Sequence, residues 1–424
     1  MNYLPSSIPI IGVHVLDADD HENIWKVVKR IFPSWSEKHT KIQALEEGLS
    51  NIVLQLDHDN HNEEPKTILM RIRRKVTDSV NDRFNEIKHM YILHELGNEQ
   101  ELYAVFQNGI IFSFLKGSSI NVDKFSVPKY SELIIDRLAR LHSLPTREAL
   151  LRLIPEESRA AVEQSYRQPI LFPTIRNWIS KLPSGFSDPQ KFEKFTTEFP
   201  TKSVLLNELA YVEDLLKNPI SPVVLCHNDL LAGNIILSAD ERLVNFIDFE
   251  YCGFNHAAFD IGNHFCEFAG ISVVNFDKYP SREYQRMWIS TYLSARDYYT
   301  KKFNRSGYQC HHLQPSVREL NQNGYPSLSS FKSSFSSCPS NNIVNLTLVD
   351  GHNENTSTVD KWLIEANHFA MAAHLFWGVW AVVLSIQEQD KFDYLSYGIA
   401  RVNQYFAMKK LLRTSENHKS SNPM

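Results

Sequence analysis

The pattern of apolar residues changes once along this chain, near residue 115. Between about residues 40 and 115, short β-rich runs alternate with polar stretches, as in "NIVLQL", "TILMRI", "LYAVF" and "IIFSFL". Among them, "NDRFNEIKHMYILHELG" has apolar residues at helical spacing and ends at Gly97. From about residue 128 onward, segments such as "YSELIIDRLARLHSL" have the spacing of amphipathic helices. The sequence therefore predicts an α+β fold with two lobes, a small antiparallel sheet with one helix and a larger, mainly helical lobe.

The composition restricts the class of partner. The chain has 424 residues and a formal net charge of −5, and its lysines and arginines are dispersed. This distribution gives no electrostatic footprint for nucleic acid. The cysteines include no C-x-x-C pair, and the N-terminal segment lacks the basic leader of a secretory signal. We therefore expect a cytoplasmic protein without a disulfide framework.

The strongest membrane candidate is "HFAMAAHLFWGVWAVVLSI", residues 368–386. It is nearly long enough to span a bilayer. However, it contains two histidines, acidic residues flank it, and neither end has a basic cluster. We predict a buried core helix and no stable membrane insertion.

A loop followed by a hairpin carries the residues with the clearest chemical pattern. The stretch "CHNDLLAGNIIL" places Asp229 and Asn234 five positions apart, and "RLVNFIDFEY" carries Asp248. We predict strands at residues 234–237 and 243–249, joined by a turn at 239–241. Because both ends of a hairpin meet at one edge, Asn234 and Asp248 are expected to converge.

Phosphoryl transfer needs this set of groups. A carboxylate must orient and deprotonate an attacking hydroxyl, and hard oxygen ligands must hold Mg²⁺ against nucleotide phosphates. Asp229 is the candidate base, and Asn234 and Asp248 are the candidate metal ligands. The spacing matches the H-R-D-x-x-x-x-N loop of protein kinases, with Asp248-Phe249-Glu250 in the place of D-F-G. Taken alone, Asp229 or Asn234 is equally well explained as a turn residue, whereas a carboxylate within a strand is costly unless it is paired.

Two features argue against a protein substrate. Asn228 occupies the position at which many protein kinases have an arginine that binds a phosphate group on the activation loop. The chain also continues directly from "IDFEY" into "CGFNHAAFDIGNHFCEF", without room for a long activation segment and without an A-P-E motif. We expect no phosphorylation switch of that kind.

The chain resembles the choline/ethanolamine kinase family, and within it the ethanolamine branch. The segments "HNDLLAGNII", "FIDFEY", "FDIGNHFCEFAG" and "HLFWGVW" resemble the family's signatures in order, and the match runs from about residue 41 to 410. The stretches "EFAGISVVNFDKYPSRE" and "FDYLSYGIARVNQYFAMK" are more similar to the ethanolamine branch. The resemblance implies a protein-kinase-like fold, with a nucleotide-binding lobe over residues 1–115, of which 1–40 form a peripheral extension. The catalytic and substrate lobe would span residues 116–424, with a serine-rich insertion at about 305–358 that we predict to be disordered.

The resemblance also assigns residues to the nucleotide. The segment "EEGLSNIVLQL", which spacing alone describes as a hairpin turn, would be the phosphate loop, with Gly48, Ser50 and Asn51 as its contacts. Phe114 and Leu115, in the linker between the lobes, would contact adenine.

Arg71 is also assigned to the nucleotide, and three further residues are assigned support roles. Arg71 occupies the position of the family's nucleotide-binding cation, and Glu86, on the predicted helix, would form an ion pair with it. The alternative is that the two residues form an exposed surface pair, which would contribute little to stability. His227 is expected to hydrogen-bond the loop backbone, and Asp260 to hold the same loop through its N–H groups.

The substrate implied by the resemblance is a small amino alcohol. Its ammonium group would be held by an acid and aromatic faces, here Tyr251, Glu267, Trp377, Trp380 and Tyr397. The two tryptophans are three positions apart and share a helix face. Aromatic residues in an apolar helix are more often core, so packing is the alternative explanation.

The resemblance thus implies a kinase that uses ATP and Mg²⁺ to phosphorylate the hydroxyl of ethanolamine, the first step towards phosphatidylethanolamine. A choline kinase, a dual kinase or an antibiotic phosphotransferase would share the loop and hairpin, although the aromatic cage disfavours an aminoglycoside. A catalytically silent kinase-like binding protein would lack the base or a metal ligand, and neither is missing here. The sequence leaves the oligomeric state open, a homodimer included.

Overall fold

The structure, a computed structural model, describes residues 8–45, 51–59, 65–73, 83–98, 100–154, 156–271, 274–306, 357–386 and 392–420. Gly48 and Ser50 of the predicted phosphate loop lie outside these ranges. Most of the predicted disordered insertion, from residue 307 to residue 356, does so as well.

A six-stranded sheet forms the N-terminal part of the molecule. Its strands are β1 (Ile10–Ile11), β2 (Thr40–Leu45), β3 (Asn51–His58), β4 (Thr67–Arg73), β5 (Leu102–Phe106) and β6 (Gly109–Ser113), in the order β1-β5-β6-β4-β3-β2. The four β-rich runs seen in the sequence are β3 to β6, and they pair antiparallel as predicted. The two-residue edge strand β1, which was not predicted, pairs parallel with β5.

Residues 8–40, the described part of the predicted N-terminal extension, pack against the sheet. Helix α1 (His21–Ile31) begins at the N-cap Asp20 and buries Ile24, Val27 and Val28 completely. These side chains share one apolar cluster with one face of β3 and β4, separate from the larger core that includes α2. Since each fully buried aliphatic side chain contributes about 1.5–3 kcal/mol, this segment stabilises the sheet.

Helices make up most of the remainder. Helix α2 lies between β4 and β5, and the other helices of the described ranges follow the sheet. Their bounds are α2 (Arg83–Glu95), α3 (Pro128–Ser143), α4 (Thr146–Leu153), α5 (Glu156–Arg167), α6 (Leu171–Lys181), α7 (Pro189–Glu198), α8 (Lys202–Leu215), α9 (Ala257–Glu267), α10 (Arg282–Ser306), α11 (Thr358–Leu384) and α12 (Tyr394–Ser420). Helix α11 is long and apolar enough to cross a membrane, but 94% of its most apolar window is buried inside the protein. The prediction of a buried core helix is therefore confirmed.

Two small sheets frame the loop that carries the chemical motif. Strand β8 (Val223–Cys226) pairs with β11 (Gly253–His256), and β9 (Ile235–Leu237) pairs with β10 (Val244–Phe246) and with β7 (Ser118–Ser119). The predicted hairpin is present, but its strands are shorter than 234–237 and 243–249. Asn234 belongs to a 3₁₀ turn, Ala232–Asn234, and Asp248 follows the end of β10.

Candidate active site

The loop between β8 and β9 has a fixed backbone. Asn228 adopts a φ of 65°, a left-handed conformation that asparagine tolerates better than most residues. Its side-chain amide donates to the carbonyl of Tyr251 at 2.9 Å, and its side-chain oxygen accepts from Asn255 at 2.9 Å. The position that holds an arginine in many protein kinases is thus occupied by a buried, hydrogen-bonded asparagine.

Asp260, in the first turn of α9, holds this loop from below. The backbone N–H groups of His227 and Asn228 donate to its two carboxylate oxygens, each at 2.7 Å. Because burial lowers the pKa of His142, that imidazole is neutral, and its Nε2–H donates to the same carboxylate at 2.9 Å. These are the contacts that the structural role expected of Asp260 requires.

His227 connects the loop to the hairpin. Its Nε2 bonds the carbonyl of Ile247 at 2.8 Å, and its Nδ1 accepts from the backbone N–H of Asp229 at 3.3 Å. Burial lowers its pKa, so the ring is neutral with the proton on Nε2. A ring bonded to backbone on both sides orients Asp229 and has no free site for carrying a proton.

Asp229 is 7% exposed and lies where several acids meet. The side-chain amide of Asn234 donates to its Oδ2 and to its backbone carbonyl, each at 2.9 Å. Burial raises the pKa of Asp229 well above its usual range, and the charges of Glu267, Asp248 and Glu250 raise it further. The carboxyl group is therefore poised to hold a proton.

Asp248 has an unusual backbone conformation. Its φ is 63° and its ψ is 67°, a left-handed geometry that costs a non-glycine residue about 1–2 kcal/mol. Strand β10 ends at Phe246, before this residue. The prediction that the Asp248 carboxylate lies within a strand was therefore wrong. Its side chain is 33% exposed, and its Oδ1 accepts from Nη1 of Arg71 at 2.9 Å.

Asn234 and Asp248 are joined through the hairpin, since the N–H of Ile247 donates to the carbonyl of Asn234 at 3.0 Å. The amide nitrogen of Asn234 is committed to Asp229, so its side-chain oxygen is the atom available to a cation. An amide oxygen and a carboxylate are hard ligands that fit Mg²⁺. Among the described residues, His142, Cys226 and Asp260 also cluster closely enough to hold a metal, but the hydrogen bonds of Asp260 to the loop assign that group a structural role.

Arg71, on the inner strand β4, and Glu86, on α2, form a buried pair. Arg71 contacts one carboxylate oxygen of Glu86, and Arg73, on the same face of β4, donates to the other at 2.5 Å. Arg71 and Glu86 are both buried, so the alternative of an exposed surface pair is excluded. Through Asp248, the pair also connects the sheet to the hairpin.

Asn51 is the member of the predicted phosphate loop that the structure describes. It opens β3, and its side-chain amide donates to Oε2 of Glu250 at 3.3 Å. Burial and the charge of Asp248 raise the pKa of Glu250 to about 7. The start of β3 thus faces the acids that follow the hairpin.

Phe114 and Leu115 directly follow β6 and are half-buried. They lie between the six-stranded sheet and β7, which pairs with β9 of the hairpin. The two residues therefore occupy the connection between the sheet and the helical part of the chain.

Three predicted aromatic residues come together. The rings of Tyr251 and Trp377 and those of Trp377 and Trp380 pack edge to face, with centroids 5.2 Å apart in each pair. The indole N–H of Trp380 donates to the hydroxyl of Tyr251, and that of Trp377 to Asn263, each at 2.8 Å. The rings are buried, which agrees with a packing role as well as with a binding role. Both indole N–H groups, however, donate to polar side chains near the loop.

Glu267 and Tyr397 are joined by a residue that sequence reasoning missed. Nη1 of Arg401 donates to Oε1 of Glu267 and to the hydroxyl of Tyr397, each at 3.1 Å. Burial raises the pKa of Tyr397, and the charges of Glu267 and Asp229 raise it further while Arg401 opposes them. Glu267 and Tyr397 therefore lie within electrostatic reach of the candidate base.

Two other contacts were not predicted. Asn263 donates to the carbonyl of Asn228 at 3.2 Å and accepts from Trp377, so it connects the loop to the aromatic cluster. The signals were present in the sequence: Asn263 follows Asp260 by three positions, and Arg401 follows Tyr397 by four, on one face of a helix in each case.

Comparison with known proteins supports the resemblance. A protein-family model described as "Choline/ethanolamine kinase" matches residues 42–406. Ethanolamine kinase 1 of Homo sapiens is 30% identical over 405 residues, which are 95% of this chain and 75% of that protein.

Two solved structures share the fold. An ethanolamine kinase from Plasmodium vivax has a TM-score of 0.65 at 22% identity, covering 92% of this chain and 89% of its own. A choline kinase from Cryptosporidium parvum has a TM-score of 0.63 at 18% identity, covering 93% and 97%. The kinase-like fold predicted from the sequence is confirmed, and the chain belongs to the choline/ethanolamine kinase family.

Proposed function

We propose that this protein transfers the γ-phosphoryl group of ATP to the hydroxyl of ethanolamine, giving phosphoethanolamine and ADP. One observation carries the proposal: Asp229 is bonded by Asn234 of the hairpin, its loop is joined to the aromatic cluster through Asn263, and the charges of Asp248 and Glu267 both act on it. The candidate base therefore lies between a set of metal-type ligands and an acid with aromatic neighbours. A small alcohol that also carries a cation fits this arrangement.

Asp229 accepts the hydroxyl proton as the substrate oxygen bonds the γ-phosphorus and ADP leaves. Asn234 and Asp248 would hold Mg²⁺, which, when bound, supplies positive charge against the phosphate oxygens. His227 and Asp260 keep the loop in place for this step through the contacts described above.

The nucleotide would be held by the N-terminal sheet. Arg71 is braced by Glu86 and directs its other donor towards Asp248, so it is placed for phosphate oxygens next to the metal ligands. Asn51, with Gly48 and Ser50 before it, would complete the phosphate loop, and Phe114 and Leu115 would contact adenine.

The ammonium group would be held at the other side of Asp229. Glu267 supplies a negative charge, and Tyr251, Trp377, Trp380 and Tyr397 supply aromatic faces. The human relative with 30% identity is named an ethanolamine kinase, which favours ethanolamine over choline. We also infer a cytoplasmic location and a role at the first step towards phosphatidylethanolamine, in keeping with a small polar substrate and a buried α11.

The test is ADP release by the purified chain with Mg-ATP and either ethanolamine or choline, with Asp229→Asn as the blank. We expect kcat/KM to be clearly higher for ethanolamine and turnover to fall by about 10²- to 10⁴-fold in the variant. Comparable values would replace the proposal with a dual kinase, and a preference for choline with a choline kinase. Absence of turnover with either alcohol would refute kinase activity on this substrate class.

A further inference from the structure

Arg401 is an unusual residue for the interior of a helical lobe. It is 1% exposed, lies within α12 and is among the largest fully buried side chains. Its Nη1 donates to Glu267 and Tyr397, whereas Nε and Nη2 have no hydrogen-bond partner among the described residues. Only one nitrogen of this buried guanidinium is satisfied.

Such an arrangement is a poor stabilising device. Desolvating a cation is expensive, and apolar residues of similar volume often stabilise a core as well as or better than a buried ion pair. Unsatisfied buried donors add to that expense. Stability therefore does not explain an arginine at this position. The two groups that it bonds, Glu267 and Tyr397, both belong to the proposed ammonium site.

The hydrogen bonds of Arg401 fix two acceptors at once. Engaging Oε1 of Glu267 leaves Oε2 as the carboxylate oxygen that can face a ligand. The hydroxyl oxygen of Tyr397 accepts from the same Nη1 and keeps a second lone pair. The guanidinium carbon also lies 5.7 Å from the centre of the Tyr397 ring, which limits the movement of that ring.

We propose that Arg401 is a positioning residue that makes the site select a primary ammonium over a quaternary one. It does so by holding Glu267 and Tyr397 in place to accept N–H hydrogens from the substrate; this inference rests on the proposed function. Choline has no N–H hydrogen to donate, so it depends on the aromatic faces and on undirected charge. Loss of the two fixed acceptors therefore weakens ethanolamine binding more than choline binding.

The experiment compares Arg401→Gln, Arg401→Lys and Tyr397→Phe with the wild-type enzyme at saturating Mg-ATP. KM and kcat are measured for ethanolamine, and for choline as substrate or, where its turnover is slow, as competitive inhibitor. We expect Arg401→Gln to raise KM for ethanolamine by about 10- to 100-fold, the loss typical of hydrogen bonds involving a charged group, and to affect choline much less. Arg401→Lys should restore part of the ethanolamine affinity.

Lys409 provides a matched control on the same helix. It is a buried cation that bonds Glu208, an acid that also accepts from Tyr405 at 2.6 Å, and none of these belongs to the proposed site. Lys409→Gln is expected to lower the melting temperature and to leave the ratio of the two affinities unchanged. A purely structural Arg401 would behave in the same way.

The outcomes separate this inference from the proposed function. If the wild-type enzyme prefers ethanolamine and the Arg401 variants change both affinities in parallel, the inference is overturned and the proposed function stands. If the wild-type enzyme does not prefer ethanolamine, both are overturned. Should the Arg401 variants fail to fold, Tyr397→Phe decides, because it keeps the ring and removes only the hydroxyl; an unchanged ratio in that variant overturns the inference.

Discussion

Asp229 and Asp248 are both acids of the site, but their surroundings differ. Asp229 is buried and bonded to a neutral amide, whereas Asp248 is one-third exposed and faces a guanidinium. A buried carboxyl group with a raised pKa is suited to proton transfer. A more exposed carboxylate, with oxygen atoms that solvent can reach, is suited to a metal ion. Substitutions of the two residues are therefore expected to have different effects on catalysis.

We expect Asp229→Asn to lower kcat by about 10²- to 10⁴-fold, the usual contribution of a general base, with an unchanged dependence on Mg²⁺. Asp248→Asn should lower kcat as well and also raise the Mg²⁺ concentration needed for half-maximal rate, because a metal ligand is lost. Initial rates at fixed ATP over a range of free Mg²⁺ check both expectations. Identical Mg²⁺ dependence in the two variants would contradict the division of roles, and circular dichroism establishes that both are folded.

The raised pKa of Asp229 also predicts how rate depends on pH. In the free enzyme, burial and the acids around Asp229 favour its protonated form, so kcat/KM should rise with pH. Bound Mg²⁺ and substrate ammonium add positive charge and lower that pKa. The acidic limb of kcat should therefore lie at lower pH than the acidic limb of kcat/KM.

Measuring kcat and kcat/KM from pH 5 to pH 9 tests whether the acidic limb of kcat lies at the lower pH. Glu250→Gln removes one of the charges that raise the pKa of Asp229, so its kcat/KM limb should move to lower pH. The limbs belong to a coupled group of acids rather than to one residue. Coinciding limbs, or a kcat limb at the higher pH, would show that Asp229 is not the titrating base.

Helix α9 joins the loop to the proposed substrate site. Asp260, Asn263 and His264 bond the backbone of residues 227, 228 and 230, and Glu267, one turn further on, bonds Arg401. Positions 260, 263, 264 and 267 lie on one face of a helix. A single rigid element therefore sets the distance between the base and the acid that would hold the ammonium.

The contact between α11 and α12 depends on two glycines. A Cβ atom at Gly398 would lie 2.9 Å from the carbonyl oxygen of Gly378, and one at Gly378 would lie 3.2 Å from that of Gly398. The pair lets the two helices approach closely. Gly378 stands between the two tryptophans of the site, and Gly398 between Tyr397 and Arg401, so this approach closes the aromatic cage.

We predict that Gly398→Ala raises KM for the amino alcohol several-fold and leaves KM for ATP nearly unchanged, because the added methyl group separates the helices but not the N-terminal sheet. The overpacking should also lower the free energy of unfolding by about 1–3 kcal/mol. Gly12→Ala is the matched control, since a Cβ atom there meets nothing within 4 Å. Equal changes in the two KM values would argue against a local effect on the cage.

Across the whole molecule, the sequence was most informative where chemistry and short spacing coincide. The order of Asp229, Asn234 and Asp248 is set by one loop and one hairpin, so local patterns predicted it. Strand lengths were overestimated because the left-handed backbone of Asp248 ends β10 early. The parallel edge strand β1 and the pairing of Arg401 with Glu267, 134 positions apart, depend on long-range contacts that periodicity does not encode.

Buried histidines make the stability of the whole molecule depend on pH. Burial lowers the pKa of His264 from its usual 6.5 to about 4, although the ring bonds the carbonyl of Leu230 at 3.0 Å. As the pH falls from about 6.5 towards 4, the unfolded chain takes up a proton that the folded chain refuses, so the free energy of unfolding decreases. A shift of this size corresponds to about 3 kcal/mol at most for one histidine.

His264→Asn tests this linkage, because an asparagine amide can donate to Leu230 but does not titrate. Urea unfolding of both proteins at pH 7.5 and pH 5 gives the four free energies that are needed. The variant should be less stable at pH 7.5, since it loses ring packing, and the gap should narrow at pH 5, where only the wild-type protein is penalised at this position. The other buried histidines are present in both proteins and cancel in the difference, so a gap that stays constant or widens would mean that His264 is not held neutral by the fold.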